Sequence, residues 1–184
     1  SGPARMLKQT DFMERSWDGE PRILPVGRAV TQKHRATLGA CRHWQDMTGD
    51  AGWAGVLAES FLDDPQRPVY IIFEPGIEIL PLFVEAIELL PENRRWDVTF
   101  STFFPRLPAG VECQWRFLLD GTPEARTARR NPHNTVIDLR RSLPAATGGP
   151  LVEQARTGRL PEAEPVGLAS EERTSAEDQS PDQT

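Results

Sequence analysis

The chain has 184 residues, 38% hydrophobic and 26% charged, with a net charge of −6, which suits one domain with a sizeable core. Pro144–Thr184 carries three arginines against eight acids, or −5, so residues 1–143 carry only about −1. A nearly neutral body without a basic face argues against nucleic acid as a partner, and no apolar run approaches the roughly 18 residues that would cross a membrane.

The chain opens with Ser1-Gly2-Pro3 ahead of Met6, and the expectation is that the native N-terminus is absent. No n-region, h-region and cleavage site follow, so a cytoplasmic location is the default. Residues 1–35 place Phe12, Trp17, Ile23, Leu24, Val26 and Val30 among Gly19, Pro21, Pro25 and Gly27. Such punctuation predicts an irregular segment packed on the core through its aromatics. From Ala36 to Met47, Leu38, Cys41 and Trp44 recur at helical spacing, and Thr48-Gly49 supplies a stop. Asp50 can cap a second helix, Ala51 to Leu62, with Trp53, Leu57 and Phe61 on one face, which makes a helical corner. Val69–Phe73 reads as a strand buried on both faces. An amphipathic helix follows, with Pro81 in its first turn and Pro91 at its end.

Trp96, Val98, Phe100, Thr102 and Phe104 share one parity, and Val111, Cys113, Trp115, Phe117 and Leu119 share another. The two patterns predict strands over 96–104 and 111–119. Joined by only 105–110, they are expected to form an antiparallel hairpin. Thr122 caps a short helix from Pro123 to Arg130, and Val136–Leu139 gives a last strand. The fold class is therefore α/β (α+β): a small mixed sheet of about four strands, with a βαβ unit, a β-hairpin and packed helices. Residues 36–143 form this core domain. The 41 residues from Pro144 contain no aromatic and no lysine, and all five tryptophans and eight phenylalanines precede them. Burial there cannot offset roughly 1–2 kcal/mol of backbone ordering per residue, so 144–184 is expected to be a disordered acidic tail.

No catalytic, cofactor-binding or metal-binding residue is assigned. The glycines of Thr48–Gly55 lack the Gly-Lys-Ser/Thr of a phosphate loop and follow no strand, so they read as a helix–helix turn. His34, Cys41 and His43, with His133 or Cys113, offer metal donors, but Cys-x-His on one helix points its donors about 200° apart. Ser101 sits in no nucleophile elbow, and Cys113 shares the parity of an apolar face, where a thiolate is disfavoured. Asp138 interrupts an apolar strand, for which pairing with an arginine such as Arg116 is the simple explanation. The arginines at 126, 129, 130, 140 and 141 read as a solvated surface. Five tryptophans are a surplus; Trp96 and Trp115 lie on core-facing parities, whereas Trp17, Trp44 and Trp53 sit near element ends and are the candidate interaction anchors.

Three strings, Thr48–Gly55, Trp96–Phe104 and Leu107–Arg116, resemble a segment of large multidomain bacterial proteins, notably of planctomycetes. These are similar to the GTPase-associated proteins of bacterial conflict or defence systems, which act beside NTPase components. The resemblance covers residues 4–141 and brings no catalytic residue. It implies a noncatalytic interaction or scaffold module, partnered by other domains of its own polypeptide or by a GTPase or NTPase. Two alternatives stay open: an enzyme or nucleotide-binding domain whose active-site residues lie upstream of Ser1, and a small-ligand sensor with a pocket of Trp44, Trp53 and Phe61.

Overall fold

The computed structural model describes residues 2–9, 16, 18–21, 23, 39–104 and 110–159. Its centre is strand β1, Val69–Phe73. Four of its five residues are buried, as a β-branched and aromatic run with helices on both sides requires. β1 lies between β3 (Trp115–Leu119) and β4 (Thr135–Asp138), and β2 (Phe100–Ser101) lies outside β3. The order is β2-β3-β1-β4, and all three pairings are parallel. Val69 is in register with Trp115 on one side and Thr135 on the other.

Alternation along the strands gives the sheet two unequal faces. Val69, Ile71, Phe73, Trp115, Phe117 and Ile137 point into the larger core. Three helices dominate that side: α2 (Arg42–Thr48), α3 (Gly52–Asp63) and α4 (Leu80–Leu89). The short α1 (Pro3–Leu7) packs on α4. Pro81 occupies the first turn of α4, where its missing N–H costs nothing. Phe83 of α4 lies parallel to Trp115, with ring centroids 5.9 Å apart, and edge-on to Phe117 at 4.8 Å. On the other face, Ile72 and Leu118 meet Ala125 and Ala128 of a single helix, α5 (Pro123–Arg130). Thr122 caps α5 by accepting the Ala125 N–H at 3.2 Å.

The helical corner forms as its residues suggest. Gly49 ends α2 at φ +80°, and the Asp50 carboxylate accepts the Gly52 N–H at 2.8 Å.

Two expectations need correction. The α/β class holds, but no hairpin joins 96–104 to 111–119: β2 and β3 run parallel. A 3₁₀ turn at Glu92–Arg94 and the Arg94–Asp97 ion pair at 2.9 Å take up the start of the first pattern, leaving Trp96 57% exposed. Strand pairing begins only at Phe100 in one and Trp115 in the other. Residues 102–114 therefore separate the strands, and a dozen or more residues are what a parallel return requires.

The second correction concerns 144–159. Pro150–Thr157 is a helix, α6, with Leu151, Val152 and Ala155 buried against α3. Gly55 makes the approach possible: a Cβ there would lie 2.4 Å from the Val152 backbone. Glu59 accepts the N–H groups of Gly149 (2.7 Å) and Leu151 (2.8 Å) at the start of α6. Asp50 holds its end through two hydrogen bonds from Arg156, at 2.9 and 2.7 Å. Average composition hid a short apolar face that a prepared groove completes. Residues 160–184 and most of 1–35 lie outside the described residues.

Candidate functional site

In an open parallel α/β sheet, ligands bind beyond the carboxyl ends of the strands, where neighbouring connections leave toward opposite faces. Here that point is between β1 and β3. The chain leaves β1 toward α4 on the larger core and leaves β3 toward α5 on the other face. The crevice is bounded by Glu74 after β1, Asp120 after β3 and Asp138 at the end of β4.

Arginines already occupy it. Arg129 of α5 bonds Asp138 through Nε and Nη2, at 3.0 and 2.8 Å, and Asp120 through Nη1 at 2.9 Å. Arg140 pairs with Asp120 and approaches Glu74 at 3.8 Å, while Arg141 reaches Asp138 at 3.3 Å. The carboxylate flagged by its apolar strand is thus neutralised by Arg129 rather than Arg116, and the arginine cluster is partly structural rather than a solvated surface. A phosphate would have to displace Asp120 from two guanidiniums, and a metal ion would have to displace the guanidiniums. Asp120 carried a sequence signal that was missed: Asp-Gly directly after an apolar run marks the carboxyl end of a strand.

The other candidate residues scatter. Trp44 is fully buried and donates its Nε1–H to the Leu82 carbonyl at 2.9 Å, so it is a core residue and not a surface anchor. Phe61 is 2% exposed, edge-on to Trp115, so Trp44 and Phe61 are packed together with the core and do not open a ligand pocket. Trp53 is half-buried and donates to the Pro144 carbonyl at 3.2 Å. Trp17 lies outside the described residues. Trp96, expected in the core, is instead 57% exposed, with Phe103 (55%) and Val111 (50%) exposed on the same stretch of chain. β2 has β3 on one side and, among the described residues, no strand on the other.

Among the described residues the thiols and imidazoles do not combine, and His34 lies outside those residues. Burial, with Glu85 and Glu88 nearby, pushes the Cys41 thiol up to about 12. Burial also raises the Cys113 thiol, which donates to the Trp115 carbonyl at 3.3 Å. The His43 ring contacts Glu85 at 2.7 Å, and that carboxylate also accepts the His43 and Trp44 N–H groups at the start of α2. Among the described residues, no three His, Cys, Asp or Glu side chains are grouped to hold a metal ion. None of the described helices is long and apolar enough to cross a membrane.

No curated protein and no solved structure matches the chain. A family model described as "GTPase-associated protein 1, middle domain" matches residues 41–141, from the residue before α2 to just past β4.

Proposed function

Because the chain belongs to the GTPase-associated protein 1 middle-domain family, we propose that it is a noncatalytic interaction module of a larger cytoplasmic protein in a bacterial conflict system. Its partner is a GTPase or NTPase, or a neighbouring domain of the same polypeptide. The observation that carries this reading is the filled crevice. Where such a sheet would bind a substrate, Asp120, Asp138, Arg129 and Arg140 satisfy one another. Bond-making there would begin by breaking pairs that hold β3, β4 and α5 together. Binding without chemistry needs only a surface, and Trp96 and Phe103 supply large apolar area beside the outer strand.

The test uses the full chain and a purified GTPase of the same system, loaded with GDP or a nonhydrolysable GTP analogue, in a calorimetric titration. Saturable binding, weakened at least tenfold by W96A/F103A, with no nucleotide turnover by the chain alone, is the expected result. Turnover of GTP or ATP by the chain alone, abolished by D120N, would overturn the proposal.

A further inference from the structure

On the smaller face of the sheet, where α5 is the one helix among the described residues, lies a cavity of about 240 Å³. Leu118 and Ala128 form its apolar floor, Phe104 and Pro123 are among its walls, and Arg116 and Tyr70 sit together in its lining. Arg116 is held in place from several directions. Its Nε–H donates to the Cys113 carbonyl at 2.7 Å and its Nη1 to the Tyr70 hydroxyl at 3.1 Å. Its guanidinium carbon lies 5.4 Å from the centre of the Tyr70 ring and 5.0 Å from that of Phe104, within cation–π range of both. Arg129, Arg140 and Arg156 each neutralise an aspartate, but among the described residues Arg116 pairs with no carboxylate.

We infer that this cavity is a binding site for a small aromatic carboxylic acid, with Arg116 taking the carboxylate. A guanidinium positioned by a carbonyl, a hydroxyl and two rings has lost its side-chain freedom before any ligand arrives, so the ordering cost of binding is already met. Nη2 makes no hydrogen bond to a described residue. Tyr70 accepts from Arg116 and so keeps its own proton to donate. A carboxylate uses both donors, while the apolar floor and the Phe104 ring favour a flat hydrocarbon body. The volume is below the roughly 300–1,000 Å³ of drug-sized sites, which limits the ligand to about one ring with a short substituent. Glu124, the one carboxylate among the described residues that line the cavity, opposes an anion and so sets a second, opposite test.

The probes are benzoate and its neutral counterpart benzyl alcohol, titrated into the full chain and followed by amide chemical shifts. Benzoate binds about tenfold more tightly than benzyl alcohol, with the largest shifts at Leu118, Thr127 and Ala128. R116Q weakens benzoate about tenfold and leaves benzyl alcohol unchanged, a split that mere loosening of the fold would not produce. E124Q tightens benzoate by a few-fold. Equal affinity for the two probes, parallel loss of both in R116Q, weaker benzoate binding in E124Q, or shifts centred elsewhere would each overturn the assignment. None of these outcomes bears on GTPase binding, so this inference and the interaction reading fail separately.

Discussion

Replacing Gly55 by alanine tests the docking of α6 most directly. An alanine Cβ at this position would lie 2.4 Å from the Val152 N and Cα and 2.5 Å from the Leu151 carbonyl carbon, where ordinary contact begins near 3.4 Å. All three are backbone atoms, so no rotamer change relieves the overlap, and α6 must retreat by about 1 Å. A retreat of that size stretches the 2.7 and 2.8 Å bonds from Gly149 and Leu151 to Glu59 beyond hydrogen-bond range. Overpacking costs about 1–3 kcal/mol. Losing a charge-assisted bond adds about 1.5–3 kcal/mol. Against these, alanine in place of glycine within α3 gains about 1 kcal/mol of helix propensity. With the two Glu59 bonds taken together as one charge-assisted interaction, the expected net loss in the full chain is about 1.5–5 kcal/mol, read from urea unfolding. In a chain ending at Leu143 the overlap is gone, and the same substitution becomes stabilising by about 1 kcal/mol. Hydrogen exchange supplies an independent reading: in full-length G55A, the amides of Leu151–Thr157 lose protection before those of the sheet. Unchanged stability in the full chain, or equal destabilisation at both lengths, would refute the account of helix packing.

Other expectations follow from single contacts. Asp50 is held well below the ordinary carboxylate range, first by its hydrogen bonds from Arg156 and then by the Gly52 and Ala146 N–H groups. Because its folded value is depressed, its contribution is present above its unfolded value near 4 and disappears as pH falls through the folded value. The stability gap between wild type and D50N, about 2 kcal/mol at pH 7, should narrow on acidification below pH 4 in a pH series of urea melts. The Cys41 thiol, raised by burial to about 12, keeps its proton in the folded state where the unfolded chain would release it. Stability tied to it is therefore full below pH 9 and is lost between about 9 and 12; at pH 9, iodoacetamide should modify Cys41 only after denaturation, as mass spectrometry would record. Trp44→Ala should cost about 3–5 kcal/mol through an unfilled core. W96A should stay within about 0.5 kcal/mol of wild type in the same melts, since its ring is largely in water.

Much of the architecture was legible because it rests on neighbours in the chain. The β-branched run of β1, the Pro81 start of α4, the Thr122 cap of α5 and the Asp50 turn carry their instructions within a few residues. The 96–104 alternation failed for the opposite reason. Phe100 packs toward Phe83 and the larger core, whereas Phe104 packs with Tyr70 and α5 on the other face, so shared parity did not mean a shared face. Trp44, a candidate anchor, is buried and Trp96, expected in the core, is exposed, because neither end-of-element position nor parity says what packs above the ring.

By itself, the sequence determined the α/β alternation, most of the helix boundaries and the family to which residues 41–141 belong. Periodicity, proline placement and capping are local, and local physics can be read one segment at a time. Tertiary structure alone decided the parallel course of β2, the seating of α6 on Gly55, the arginine that neutralises Asp138 and the enclosure of Arg116 by two rings. Each of these depends on groups distant along the chain meeting in space, and neither spacing nor composition records which partner the folded state brings close.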